Sequence, residues 1–185
     1  MIDHFGILAS VYDRAIPFTR VEFMRQIVNL PTEGYLLDAA GGTGRVAVEL
    51  GKYAKRTFVA DISRGMLAQS FAKGLAGIEA PAEMLPFCAE AFERIIIVDA
   101  LHHVNDQAKV MAELWRVLKK GGVFVIEEPD INKWQVKILA VVEKLALMRS
   151  HFLSPSQIVT LLPVDAHVEF IYDGFNAWIV ARKVS

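Results

Sequence analysis

The stretch Tyr35-Leu36-Leu37-Asp38-Ala39-Ala40-Gly41-Gly42-Thr43-Gly44-Arg45 joins an apolar run, an acidic residue and a glycine turn ahead of a helical pattern. An apolar run ending in a carboxylate fits the C-terminal edge of a parallel strand. The glycines let the backbone turn tightly enough for a ligand to approach a helix start. Ligands of open α/β sheets bind at that edge. The segment therefore predicts both an α/β fold and the side of the sheet on which a nucleotide-type ligand sits.

Glycine spacing alone leaves the ligand open. Gly42, Gly44 and Ala47 also satisfy the dinucleotide fingerprint, in which the backbone approaches a pyrophosphate at a helix N-terminus. Asp38 separates the two cases. Its carboxylate would repel a pyrophosphate and attract the ammonium and sulfonium of S-adenosylmethionine (SAM), which has no phosphate. Asp61 lies roughly 20 residues after the turn, where the carboxylate on the second strand of such a unit meets ribose hydroxyls. Its plainer alternative is a helix N-cap, for which Ser63 is also placed.

A chain of 185 residues with 54% hydrophobic side chains suits one domain over residues 1–185 with a sheet covered on both faces. A net charge of -1 with scattered lysines and arginines argues against nucleic acid as a partner. The single cysteine, Cys88, excludes a disulfide framework and a multi-thiolate metal site. No signal-like start is evident, and no apolar stretch approaches the roughly 20 residues needed to cross a bilayer. These features predict a cytoplasmic protein without stable membrane insertion.

Two helical patterns precede the first strand, near residues 5–13 and over 18–30, where Val21, Met24, Ile27 and Val28 share a face and Pro31 stops the helix. The glycine turn is followed by a helix over 46–53, a strand over 56–60 and a helix over 64–73. A short strand over 77–80 comes next, then one over 94–98, whose isoleucines suit a buried central position. A helix over 105–118, a glycine turn at Gly121-Gly122 and a strand over 123–127 complete the alternation, which predicts a doubly wound, Rossmann-like sheet. The end differs. An apolar-rich helix over 132–150 and a short helix after Ser154-Pro155 lead to strands over 167–172 and 177–181 with Asp173-Gly174 as their turn. The expected sheet is thus seven-stranded and mostly parallel, closed by a C-terminal antiparallel hairpin.

Taken in order, these motifs resemble those of the class I SAM-dependent methyltransferases, particularly the small branch that includes the ubiquinone and menaquinone C-methyltransferases. Leu37-Asp38-Ala39-Ala40-Gly41-Gly42-Thr43-Gly44 is similar to the family's first motif, Asp61 to the acidic end of its second strand, and Ala82-Glu83-Met84-Leu85-Pro86-Phe87 to the segment after its third. The fourth strand is matched by residues 92–98 and the pattern Leu101-His102-His103-Val104, and the turn into the fifth by residues 116–122. Near the start, Ala9-Ser10-Val11-Tyr12-Asp13 is similar to the branch's Ala-x-x-Tyr-Asp signature. Two positions depart from the pattern. Ala40 stands where many relatives have the first glycine and must adopt a conformation that tolerates a Cβ, and Phe92-Glu93-Arg94 replaces the commoner aromatic-aspartate pair.

The resemblance implies a methyltransferase with SAM as cofactor and S-adenosylhomocysteine as product. Asp38, Ala40, Gly41, Gly42 and Gly44 would form the cofactor turn and Asp61 the ribose site. Ile62 and Met66 would pack on adenine, with Ala82 and Glu83 near its exocyclic amine. Tyr12 would be a lid over the methionine end, and Asp99 with Ala100 would line the methionine pocket. Met66 reads equally as core, Tyr12 as a packed aromatic and Asp99 as a helix cap. Methyl transfer is an in-line displacement that neutralises a sulfonium, so a dry, well-oriented site does most of the work. An acceptor that must also lose a proton needs a base. His103 is the catalytic candidate, with His102 behind it, and both read alternatively as loop-orienting residues. His4, His151 and His167 lack metal-ligand spacing, and no metal is expected.

Residues 131–162 are the expected acceptor side, because in this fold the insertion after the fifth strand supplies variable acceptor contacts. Trp134, Ile138, Val141, Val142, Leu145 and Met148 predict one core-facing stripe, with Val136, Leu139, Ala140 and Leu147 as apolar surplus. That surplus fits a lid over an apolar acceptor, a dimer surface or a fully buried helix, so both monomer and homodimer stay open. No Asn-Pro-Pro-Tyr motif for nucleobase amines appears, and the cysteines are too few for a thiol-dependent arsenic methylase. A small or lipophilic metabolite is the leading acceptor. Competing readings are a non-catalytic SAM-binding regulator and, against Asp38 and the terminal hairpin, an NAD-dependent oxidoreductase.

Overall fold

The computed structural model describes residues 9, 12–14, 16–145 and 150–184. Seven strands, β1 (Thr32–Ala39), β2 (Ala54–Asp61), β3 (Ala76–Glu79), β4 (Phe92–Val98), β5 (Leu118–Pro129), β6 (His167–Asp173) and β7 (Asn176–Arg182), form one sheet. Their order is β3-β2-β1-β4-β5-β7-β6. The first five are parallel, and β7 runs antiparallel between β5 and β6. The helices are α1 (Val21–Ile27), α2 (Ala47–Leu50), α3 (Arg64–Ala72), α4 (Gln107–Val117), α5 (Trp134–Leu145) and α6 (Pro155–Val159). The expected doubly wound architecture is present.

Strand periodicity of two explains why both faces are apolar. Leu36, Ile96, Val125 and Val180 point to one side, where Met24 from α1, Val28 just after it and Leu50 from α2 cover them. Leu37, Ile95, Ile97, Phe124, Ile126 and Ile179 point to the other, against Val110, Met111, Leu114 and Val117 of α4. Each such burial contributes roughly 1.5–3 kcal/mol relative to exposure. Asp106 caps α4 by accepting from Lys109 N at 3.0 Å, and Ser154 with Gln157 forms a capping box on α6.

Several sequence expectations shift. The helix expected over 46–53 is one α turn followed by a 3-10 turn at Gly51–Tyr53. Gly121 and Gly122 do not make a turn before β5 but lie inside it. Gly121 N donates to Lys183 O at 2.8 Å and Lys183 N to Gly122 O at 3.1 Å, so pairing with the chain's end extends the strand. The hairpin turn is Gly174-Phe175, one residue later than expected, because Asp173 still pairs with Asn176 and the positive φ of 63° falls on Gly174. Of the helix expected over 5–13 only parts are described, and residues 146–149 of the helix expected over 132–150, with Leu147 and Met148, lie outside the described residues.

The largest correction concerns α5. The stripe Trp134, Ile138, Val141, Val142 and Leu145 is exposed, and Val136, expected as surplus, is the residue buried against the fold. Apolar periodicity gives the angle between residues on a helix but not the side on which the protein lies. Among the described residues no helix is long and apolar enough to cross a membrane.

Candidate functional site

The strand order reverses direction between β1 and β4, and both strands end there in unusual backbone. Ala40, just after β1, has φ 52°, and Asp99, just after β4, has φ 54°. Each left-handed non-glycine residue costs on the order of 1–3 kcal/mol, a strain that concentrates at binding sites. Such a switch point leaves a crevice beyond the strand ends. Ala40 thus tolerates its Cβ in the left-handed conformation that a glycine would adopt freely.

Packing dictates the glycines that follow. A Cβ on Gly41 would fall 2.5 Å from Asp38 Cγ, so Asp38 can stay 1% exposed only beneath a residue without a side chain. Gly42, at φ 56°, donates its N–H to Asp61 Oδ2 at 2.8 Å, and Asp61 Oδ1 accepts from Ser63 N at 2.8 Å. Ser63 takes the N-cap role on α3, receiving Met66 N at 3.3 Å. Asp61 is therefore oriented by the turn. A Cβ on Gly42 would occupy the space beside Met66 Sδ, at 3.8 Å, and Asp61 Oδ2, at 3.9 Å. Met66 is both core, 3% exposed, and a wall of this cradle, while Ile62 is exposed on its rim.

The ionisable side chains at this edge are mostly acidic. Burial raises Asp38 to about 7, against a lowering pull from Arg45 and a hydrogen bond from Ala47 N–H. Burial likewise raises Asp99, opposed by His102 and Arg45 and aided by Glu128 and Glu143, and raises Glu127, aided by Asp99. Arg45 also hydrogen-bonds Tyr12, whose hydroxyl is pushed up by burial. One guanidinium thus faces Tyr12, Asp38, Asp99 and Glu127.

At the end of β5, Glu128 Oε1 accepts from Ala100 N at 3.0 Å and Leu101 N at 2.7 Å, and Oε2 lies 2.6 Å from His102 Nδ1. Burial alone would lower the His102 pKa, but the Glu128 hydrogen bond and charge, with Asp99 and Glu143, raise it. His102 stacks on Phe152 with centroids 4.3 Å apart. His103 goes the other way: burial and the neighbouring His102 lower it to about 3, and its Nδ1 lies 3.2 Å from Ser150 Oγ. Glu143 from α5 completes the group, with one potential ligand atom from each of His102, His103 and Glu143 lying within 4.8 Å of one another. Its Oε2 is buried without a hydrogen-bond partner.

The described helical turn at 12–14 closes over the glycine turn. Asp13 accepts from Thr43 Oγ1 and pairs with Lys73, which also donates to Thr43 O at 2.7 Å. Tyr12, Asp38, Ala40, Gly41, Gly42, Asp61, Met66, Asp99 and Ala100 thus converge at one edge. Gly44 serves packing, since a Cβ there would meet Leu75 Cδ1 at 2.4 Å. Ala82 is buried, and Glu83 Oε1 accepts from Asp106 N at 3.3 Å, so its carboxylate is turned towards the start of α4. Sequence reasoning missed Arg45, Thr43, Lys73, Glu127, Glu128 and Glu143. For Glu127-Glu128 a signal existed: two acids ending an apolar strand, as with Asp38.

Residues 37–126 match the methyltransferase domain family. The ubiquinone/menaquinone biosynthesis C-methyltransferase of Zymomonas mobilis is 34% identical over 120 residues, 61% of this chain and 49% of that protein. The demethylmenaquinone methyltransferase of Mycolicibacterium vanbaalenii is 31% identical over 154 residues, 83% of this chain and 65% of that protein. The chain therefore spans about half of the first relative and less than two thirds of the second. A crystal structure of a SAM-dependent methyltransferase from Thermotoga maritima superposes with a TM-score of 0.80 over 97% of this chain and 98% of that one, at 21% identity, which shows a common fold.

Proposed function

We propose that the chain is a class I SAM-dependent methyltransferase, and that it transfers a methyl group from SAM to a small, lipophilic acceptor of the quinone type named for its curated relatives. The observation that carries this reading is the charge of the sheet edge. Asp38, Asp61, Asp99, Glu127 and Glu128 meet there with Arg45 as the facing guanidinium. Such an edge favours a cationic ligand and opposes a pyrophosphate. The cradle at Gly42 and the unpartnered buried Oδ2 of Asp38 fit the same ligand.

SAM supplies an electrophilic methyl group on a sulfonium. Asp61, fixed by Gly42 and Ser63, would accept from the ribose hydroxyls, and Met66 and Ile62 would flank the base. Asp38, whose pKa burial raises to about 7, would be drawn to its ionised form by the ammonium group. Tyr12 and Asp99 would exclude water from the reacting end and orient it, which is the main demand of an in-line transfer.

A ring carbon or hydroxyl acceptor must also lose a proton. The coupled pair His102 and His103 takes it, with Glu128 setting the basicity of His102 and Ser150 orienting His103. His103 is the less buried of the two, but its low pKa makes it the weaker base.

Calorimetric titration of SAM, S-adenosylhomocysteine and NAD tests the reading. Micromolar-scale binding of the first two without NAD is expected. NAD binding, or no response to SAM, overturns it. A screen of short-chain quinols with labelled SAM then tests the acceptor.

A further inference from the structure

The outward face of α5 lies opposite Glu143, the residue that α5 turns towards the histidine pair. Trp134, Ile138, Val141, Val142 and Leu145 are 67%, 55%, 59%, 55% and 79% exposed. At about 100° per residue these five fall on one side of the helix, with Val136 and Glu143 on the opposite, inward side. Lys133, Lys137 and Lys144, all exposed, follow one flank of the stripe. The acid of α5, Glu143, is turned inward, so no counter-charge on the helix offsets the lysines.

A contiguous apolar patch of this kind marks a partner surface. Aliphatic residues with a tryptophan, bordered by lysines whose stems lie along the apolar face, suit the boundary between acyl chains and headgroups. We propose that α5 docks the protein on an anionic phospholipid surface, lying parallel to it, with the stripe sunk among the acyl chains and the three lysines on the phosphates. Charge decides between this occupant and a second copy. An antiparallel two-fold pairing of stripes would gather two lysine flanks at one seam without an acid of α5 to offset them, and a parallel one would leave a lysine flank uncompensated on each edge, whereas an anionic surface neutralises each flank. The 12 described residues of the helix are too few to cross a bilayer, so the proposed contact has it lying on the surface. Docking rests on this helix and not on methyl transfer, although Glu143 and the histidine pair would then sit directly behind the lipid-facing side.

Co-sedimentation of the full chain with phosphatidylcholine vesicles, with and without phosphatidylglycerol, tests the proposal. Binding to the anionic vesicles is expected, weakened by salt and by about fivefold for each of Lys133→Gln, Lys137→Gln and Lys144→Gln at low ionic strength. Tryptophan emission should shift to the blue on binding and lose that shift in Trp134→Phe. Leu145→Ser and Ile138→Ser, exposed and so neutral to folding by circular dichroism, should abolish binding. The proposal is overturned by absence of vesicle binding, by equal binding to neutral vesicles with no lysine dependence, or by a dimer that Leu145→Ser dissociates in a protein that ignores vesicles.

Discussion

His102 Nδ1 and Glu128 Oε2 lie 2.6 Å apart with side chains only 3% and 4% exposed. Because Glu128 Oε1 also receives two backbone N–H groups, its loss strands an imidazole and both donors. Glu128→Ala should therefore destabilise the protein by about 3–5 kcal/mol in urea unfolding. Glu128→Gln keeps the shape but removes the charge that raises His102. A base works when deprotonated, so the acid limb of the rate profile should move to lower pH in Glu128→Gln. An unmoved limb would remove His102 from the proton-accepting pair.

Burial holds the Asp38 pKa in the folded chain at about 7, against an ordinary carboxylate value of about 3.9. Between those values the folded state binds more protons than the unfolded one, so this group's contribution to stability falls as pH rises from about 4 to 7. Asp38→Asn should be more stable than the wild type at pH 8, by on the order of 2–4 kcal/mol, with no such gain at pH 4. The same variant should bind SAM more weakly. Equal effects on stability at both pH values would contradict the buried carboxylate.

Two neighbouring glycines should fail differently. Gly42→Ala meets a left-handed backbone but ordinary contacts, so it should cost about 1–2 kcal/mol of stability while its Cβ intrudes on the cradle and weakens S-adenosylhomocysteine at least about tenfold. Gly44→Ala adds an overlap with Leu75 Cδ1 to its φ of 71°, and thermal unfolding should show the larger loss, about 2–4 kcal/mol. Identical losses in both assays would mean the turn acts only as a spacer.

Asp61→Ala should weaken S-adenosylhomocysteine by about 1–3 kcal/mol in calorimetry, since a carboxylate oriented by two backbone donors is removed from the ribose site. Unchanged affinity would reassign Asp61 to holding the turn alone.

The first β-α-β unit was legible because its signals are local: Asp38 and Asp61 end apolar strands, and the intervening glycines can serve few other purposes. The remainder depended on contacts between distant positions. Asp13 and Lys73 are 60 residues apart, and no local pattern pairs them. Gly121-Gly122 looked like a turn because the pairing that extends β5 comes from Lys183 at the other end of the chain. For α5 the spacing of the apolar residues was legible, and the direction they face was not, since that depends on which side Glu143 finds the histidines.

The contact of Asp13 with Lys73 and Thr43 has a kinetic consequence. An ion pair this accessible contributes no more than about 1 kcal/mol, and the hydroxyl hydrogen bond about the same. A clasp of about 2 kcal/mol stands open roughly a few per cent of the time. On the proposed function, the strained strand ends would fix where the ligand lies, and this weak clasp would limit how long it stays.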